Sequence, residues 1–472
     1  MTVPKLSLKE KIGYGFGDAA ASMFWKLFSM YLMFFYTDIF GIAAPVVGTM
    51  FLVTRLWDAA FDPFVGVLSD RTDTKWGKFR PYLLWMMVPF GIIGIITFST
   101  PDLGPTGKII YAYVTYSLMM MVYSLINVPY ASLMGVMTDN GKERTTLSTF
   151  RMVFAYGGSF LVLALAEPVV SAFSKMGGGN NPQQGWQLSA IVFALIAILF
   201  FFICFSWTKE RIKPMKEKTS LKQDLSDLWK NKPWWILLGA GVAVIFFNSI
   251  RDGAAIYYFK YYVVSQDALQ IASMGVTLTL STLYFVIGQG ASIIGVILAV
   301  PISNRIGKKA TYLGAMVICA ALSVWFYFIN RGDTTQIFIL QFFISLTIGT
   351  TLPLIWSMYA DTADYSEWKT KHRATGLVFS ASSMSQKFGW TIGGALCGWL
   401  LGYYGFKANV AQTEFAQDGI RLMLSIFPAV GAALGVLFMS IYPLSETKLK
   451  KISAELAEAR QLTTSDKPSE IK

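Results

Sequence analysis

The sequence predicts an all-α membrane protein of about twelve transmembrane helices in two six-helix bundles, and three observations predict it. Of 472 residues, 54% are hydrophobic and only 14% charged, far from the balance of a water-soluble globular chain. Apolar runs long enough to span a bilayer, roughly 20 residues each, recur from end to end. These runs are continuous, whereas the strands of a membrane barrel alternate over about ten residues.

Taken in order, the first span is expected from Tyr14 to Phe35, behind a polar start, Met1 to Lys11, with no apolar core and cleavage site, so no removable signal peptide is expected. The second runs from Val46 to Leu68 and contains Arg55, Asp58 and Asp62. Leu83 to Phe98, Ile109 to Met137, Phe150 to Phe173 and Leu188 to Phe205 complete a first set of six. A basic linker from Thr208 to Lys232, with Lys209, Arg211, Lys213, Lys216, Lys218 and Lys222, then divides the spans six and six. The second set is expected at Trp234 to Val263, Thr277 to Val300, Thr311 to Ile329, Ile337 to Met358, Gly376 to Leu401 and Met423 to Tyr442. The resulting organisation is a bundle at 1–207, a linker at 208–232, a bundle at 233–442 and a polar tail at 443–472.

Lysine and arginine fall in alternate loops: Lys5, Lys9 and Lys11 before span one, Arg71, Lys75, Lys78 and Arg80 after span two, Lys142 and Arg144 after span four. Basic loops stay inside the cell, so both termini are expected to be cytoplasmic. The net charge of +12 then reflects topology and contact with anionic membrane lipids, not nucleic-acid binding. A weak repeat crosses the linker. Ser69-Asp70-Arg71 with Gly77-Lys78 resembles Ser303-Asn304-Arg305 with Gly307-Lys308-Lys309, and Lys142-Glu143-Arg144 has a counterpart in the loop from Glu367 to Arg373. Paired halves with a midplane site are the layout of many secondary transporters.

Nothing in the chain suggests an enzyme or a nucleotide-driven pump: P-loop, dinucleotide glycine pattern and histidine metal motif are absent, His372 is the one histidine, and Cys204, Cys319 and Cys397 fall inside spans. No cofactor is expected, and a monomer is.

Charges inside a span are expensive and mark ion or substrate paths. Asp58 and Asp62 are i and i+4, with Arg55 three residues before Asp58, so one helical face carries two acids and one base. That face needs a further positive charge, a distant lysine or a cation that comes and goes; a static buried network is the alternative. The eleventh span offers Lys387, with Ser380, Ser383, Trp390 and Thr391 on its face. The fourth presents Tyr116, Met120, Tyr123, Asn127 and Tyr130, aromatic rings flanking an amide, which suits a sugar. Helix packing is the competing reading for these tyrosines. In the seventh span Arg251 and Asp252 either pair with each other or read an acidic sugar; pairing is favoured. Asn248 and Trp356 are further polar or aromatic residues within spans.

Gly13-Tyr14-Gly15-Phe16-Gly17-Asp18, the Arg55 to Pro63 segment, Trp76-Gly77-Lys78-Phe79-Arg80-Pro81, Asn127-Val128-Pro129-Tyr130, Ala360-Asp361-Thr362-Ala363-Asp364-Tyr365 and Lys387 with its following glycines together resemble the glycoside, pentoside and hexuronide:cation symporters of the major facilitator superfamily. The resemblance covers nearly the whole chain. It implies alternating access across the inner, cytoplasmic membrane, with a sugar or glycoside (xyloside, galactoside, glucoside or uronide) carried with H+ or Na+.

By that resemblance Asp58 and Asp62 hold the coupling cation and would ligate sodium if sodium is the ion, with Ser124 as a neighbouring hydroxyl and Lys387 as the central lysine. Phe61 stands where melibiose-carrying members have an asparagine ligand, and losing an oxygen ligand weakens a sodium site more than a protonatable acid pair. The same comparison implies sugar contacts at Ser22 and Asn127, both replacing acids, and at Arg151, with Asp18 and Lys387 lining the cavity; Tyr123 and Trp390 join them by their place on the polar faces of the fourth and eleventh spans. The segments from Asp70 through Arg71 and Lys78 to Arg80, Arg144, and Asp361 through Asp364 to Arg373 would latch the outward-open state. Two rivals are kept: a lysolipid or other amphiphile carrier of the same fold, which needs a lateral apolar opening, and a non-transporting sensor, which would usually carry a sizeable soluble domain.

Overall fold

The computed structural model describes residues 6–138, 141–176, 179–212, 226, 228–263, 269–271, 276–370 and 375–465. Helix α1 (Leu8–Leu27) begins on a capping box in which Ser7 and Glu10 satisfy each other's backbone N–H groups. It continues through two π-helical turns, Phe28–Leu32 and Phe35–Ile39. Helices α2 (Ala44–Arg71), α3 (Arg80–Thr97), α4 (Pro105–Met137), α5 (Gly141–Ser174) and α6 (Pro182–Trp207) complete the first half.

The second half opens with α7 (Lys232–Tyr257), prolonged by a π-helical turn at Tyr258–Val263. It continues with α8 (Leu280–Ile306), α9 (Lys308–Tyr327), α10 (Thr334–Thr370) and α11 (Thr375–Tyr403). A broken pair follows, α12 (Glu414–Leu424) and α13 (Ile426–Ser440), then α14 (Glu446–Ser465) in the tail. One correction concerns the eighth span. Residues from Val276 to Leu278 pair with Leu269–Ile271 in a short antiparallel hairpin, so the helix starts at Leu280 rather than Thr277. A second concerns α10, which carries Asp361 and Asp364 on its own extension and not in a loop. Arg144 likewise sits on the first turns of α5.

Among the described residues, nine helical segments are long and apolar enough to cross a membrane. Helices α1, α2 and α11 have the length but are not among them. They carry Asp18, the Asp58–Asp62 pair and Lys387, so a hydropathy criterion passes over the helices that bear these charges.

The packing of the first half recurs in the second. Helix α1 lies against α5 and α6 as α7 lies against α11 and α13; α2 packs on α4 as α8 packs on α10; α3 packs on α4 and α6 as α9 packs on α10 and α13. The halves meet through two equivalent crossings, α2 with α11 and α5 with α8. At the first, a Cβ on Gly48 would stand 2.6 Å from the Ala395 carbonyl and one on Gly398 would stand 2.5 Å from the Ala44 carbonyl. Only hydrogen on both sides lets the backbones approach this closely, as small residues do in membrane helix pairs. Apolar side chains such as Leu195 on α6, Ile297 on α8 and Trp325 on α9 remain exposed on the outer faces.

Candidate functional site

The α2–α11 crossing sets the central site. Helix α2 turns Asp58 and Asp62 to one side, and α11 brings Lys387 against both: its Nζ lies 3.1 Å from Asp58 Oδ2 and also bonds Asp62 Oδ2. From α4, Ser124 Oγ is 2.7 Å from Oδ1 of Asp58 and 2.7 Å from Oδ1 of Asp62. Lysine, two carboxylates and hydroxyl close a ring that joins the halves. Asp58 is buried, whereas the side chains of Asp62 and Lys387 keep 28% and 27% exposure, so the ring has one open edge.

Arg55, expected on the same face as the acids, does not pair with them. It is buried, with its guanidinium 4.3 Å from the centre of the Trp25 ring and 5.9 Å from that of Tyr116. Stacking on an aromatic face holds a guanidinium in a dry site, and at longer range its charge offsets the second carboxylate of the ring. Phe61 contacts Phe64 and supplies no ligand. Ser380 and Ser383 have side chains outside the described residues. Thr391 hydroxyl donates to the Lys387 carbonyl at 2.7 Å and so stays on its own helix.

Elsewhere in the first half, Arg151 of α5 donates from Nε to Asp18 of α1 at 2.8 Å. This pair also depends on a close crossing, since a Cβ on Gly158 would fall 2.3 Å from the Ala19 carbonyl. Ser22 lies half-buried one turn above Asp18. Asn127 donates its amide to the Tyr123 carbonyl at 3.0 Å. The rings of Tyr123 and Trp390 lie 5.6 and 5.9 Å from the ring of Trp25. The structure therefore gathers Tyr123, Trp390 and Arg55 around an aromatic centre, Trp25, that periodicity alone did not single out. Tyr130 is a packing residue: its ring stacks on Tyr14 at 4.7 Å and its hydroxyl donates to the Tyr14 carbonyl. Tyr116 instead lines the cavity beside Arg55 and Trp390.

Arg251 and Asp252 do not pair with each other. Arg251 is buried within the second half, bonding the Leu424 carbonyl, the Tyr284 hydroxyl and Gln341. Asp252 points the other way and meets Lys26 of α1 at 3.4 Å. Adjacent residues on a helix leave it about 100° apart, which explains the divergence.

Of the expected latch residues, Arg80, Arg144 and Asp361 bond within their own halves. Glu210, just past α6, accepts from the backbone N–H groups of Lys78, Phe79 and Arg80 at the start of α3, a carboxylate on a helix N-terminus. Gly77 makes room for it, with φ of 108° and no space for a Cβ. Arg80 donates to the Phe205 carbonyl, Arg144 to the carbonyls of Thr138 and Gly135, and Lys308 to Asp361 at 2.7 Å. Arg71 is exposed, and Asp364 lies near the C-terminal end of α10. The side chain of Asp70 and all of Arg373 lie outside the described residues.

Bonds between halves gather at the opposite end. Lys260 reaches buried Asp38 at 2.7 Å and Asn409 at 2.8 Å, and Tyr261 also bonds Asp38. Glu167 of α5 accepts from Thr279 and Ser281 at the start of α8. None of Asp38, Lys260 and Glu167 was singled out in the sequence; each is one charge near an expected span end, and the partners lie more than 100 residues apart.

A family model for "MFS/sugar transport protein" matches residues 13–446. The chain is 36% identical to the Inner membrane symporter YicJ of Escherichia coli, covering 97% of this chain and 96% of that one. It is 34% identical to the Putative glycoside/cation symporter YagG of the same organism, with the same coverage, and 37% identical to the Isoprimeverose transporter of Lactiplantibacillus pentosus, covering 94% and 90%. In fold it is similar to a bacterial homologue of the human lysosomal transporter Spinster, with a TM-score of 0.65 at 12% identity over 93% of this chain and 98% of that one.

Proposed function

The chain belongs to the MFS/sugar transport family, and on that footing we propose how its residues divide the work of cation-coupled sugar transport. It is a transporter and not an enzyme. The coupling ion is a proton held by Asp58 and Asp62, and the observation that carries this reading is Ser124. Its hydroxyl has one proton and sits 2.7 Å from an oxygen of each acid, so it donates to one, and the second contact is a full hydrogen bond when the other acid carries a proton. Lys387 takes the face of the ring that a sodium ion would need, and sodium prefers a shell of hard oxygen ligands.

The sugar sits between the halves against Trp25, Trp390 and Tyr123, with Asp18, Arg151, Ser22 and Asn127 meeting its hydroxyls. Xylosides are the favoured class, in line with a relative named for isoprimeverose. Twelve spans form two six-helix bundles, 1–207 and 233–442, with linker 208–232, tail 443–472 and both termini cytoplasmic. The protein works as a monomer in the cytoplasmic membrane, its exposed apolar faces covered by lipid. The conformation is closed at the end held by Asp38 and Lys260, and the inner motifs around Arg71, Lys78, Arg80, Arg144, Asp361 and Asp364 change partners when the opposite end opens.

Uptake of radiolabelled xylosides, galactosides and uronides into proteoliposomes, driven separately by proton and sodium gradients, tests this. Proton-driven uptake of a xyloside that vanishes in Asp58→Asn is the expected result. Uptake that follows sodium alone removes the proton assignment, and no sugar uptake under either gradient by folded protein removes the division of roles.

A further inference from the structure

We propose that an apolar groove between α1, α5 and α6 binds one anionic phospholipid, whose acyl chain fills the groove and whose phosphate meets Lys9 and Lys209. The groove has about 300 Å³ of room and is walled by Phe16 of α1, by Val153, Phe154, Gly157 and Leu161 of α5, and by Phe200 of α6. Val153 and Gly157 are exposed, so it opens at the protein surface. Each of these six residues is apolar or glycine. A path for a polar solute needs a few placed polar groups, and a wall without them suits a hydrocarbon chain.

Two adjacent glycines shape the groove. Gly158 is buried at the crossing of α1 and α5, where a Cβ would fall 2.3 Å from the Ala19 carbonyl. A Cβ on Gly157 would meet nothing within 4 Å. The close crossing therefore has empty apolar room beside it, and a chain lying there supplies the dispersion contacts that the lining otherwise lacks.

Phe16 leads from the groove to a basic end. Its ring lies 4.8 Å from those of Phe154 and Phe200 and 6.4 Å from that of Trp207, the last residue of α6. Gly13 lets Trp207 sit this close, since a Cβ there would stand 2.5 Å from the Trp207 Cβ. Lys9 Nζ is 5.2 Å from the centre of the Trp207 ring, and Lys209 is exposed two residues beyond it. Tryptophan and lysine together are the side chains that meet lipid headgroups at a bilayer boundary. The neighbouring bases are engaged, Lys11 with Glu143 and Arg211 with Glu10. Among the described residues Lys9 and Lys209 have no acidic partner, which leaves both charges for a phosphate. Over the ten residues from Lys9 to Ala19 the helix rises about 15 Å, half of a hydrocarbon core of about 30 Å, so headgroup and chain fall within one leaflet.

The test uses the full chain in phosphatidylcholine bilayers with a trace of phosphatidylglycerol that carries a photoreactive group on its acyl chain, the cross-linked residues being mapped by mass spectrometry. Label is expected on the groove wall around Phe154 and Leu161, and an excess of unlabelled phosphatidylglycerol should remove it where the same excess of phosphatidylcholine does not. Lys9→Gln with Lys209→Gln, both at exposed positions, should melt as the wild type does, while groove label falls about 10- to 30-fold relative to label elsewhere on the chain. Gly157→Leu, placed in open room, should displace the label from the groove and leave melting unchanged. Label that both lipids remove equally, or that the lysine variant keeps, shows that the groove takes whatever lipid surrounds the protein and overturns the site. Absence of label from the groove of the wild type overturns it as well. Every one of these outcomes is independent of the sugar reading, which is decided by uptake.

Discussion

Lys387 reaches Asp58 from 329 positions along the chain, with Nζ 3.1 Å from Oδ2, so the charge that α2 lacks is supplied by the other half of the molecule. If the acids hold the coupling ion as proposed, a group that neutralises them and also ties the halves together would make ion binding and rearrangement of the halves one event. Protonating an acid would then weaken its bond to Lys387 and loosen the crossing.

Removing Lys387 leaves two acids with one hydroxyl between them. Breaking a buried pair from one side costs about 3–5 kcal/mol, so Lys387→Met should melt well below the wild type and lose gradient-driven uptake. The double variant Lys387→Met with Asp58→Asn should recover much of the melting temperature but none of the uptake. A double variant no more stable than the single one would contradict the ring.

Ser124→Ala removes the bridge while leaving the ion pair. Uptake should persist, with apparent affinity for the driving ion weakened about tenfold, the worth of one hydrogen bond to a charged group. An unchanged ion dependence would show that the hydroxyl does no more than fill space.

Asp38→Asn weakens the closure made with Lys260 and Tyr261. In a cysteine-free background carrying Ser249→Cys, a membrane-impermeant thiol reagent added from outside should label the cavity several times faster once Asp38 is neutralised. Equal labelling rates would show that the closed end is held by packing alone.

Gly398→Leu places a side chain where the Ala44 carbonyl now stands. The α2–α11 crossing must widen, and overpacking of this kind costs about 1–3 kcal/mol. Uptake should fall by more than tenfold while an equivalent change at Gly314, which has open space, leaves it near wild type.

Glu10, in the first turn of α1, shows a pH effect whose sign is fixed. Burial raises its pKa, but bonds from Ser7 and Arg211 outweigh burial and hold the carboxyl below its ordinary range. A depressed folded value means stability that is present above the unfolded pKa and lost as pH falls through the folded one. The melting gap between wild type and Glu10→Gln should therefore be largest near neutrality and shrink in acid. A gap that widened in acid would reverse the sign.

Asp58, Asp62 and Lys387 were legible because charge in an apolar run is costly, and the segments carrying them resemble a family in order and spacing. Trp25, Lys26, Asp38 and Lys260 were not. Tryptophan and lysine are common near membrane interfaces, and nothing local marks which ones turn inward. The reading of Arg251 with Asp252 failed for a related reason: neighbours in sequence diverge on a helix, and each found its partner on another element.

Composition and continuous apolar runs determine by themselves that the chain is a helical membrane protein, and residue chemistry at helical spacing determines which face of α2 needs a further positive charge. Both are local properties, fixed by the cost of burying charge and by 3.6 residues per turn. Which partners meet was decided by the tertiary structure alone. The glycine crossing of Gly48 with Gly398 sets how closely α2 and α11 approach, and that distance places Lys387 on Asp58 and Asp62 while Arg55 turns aside to Trp25.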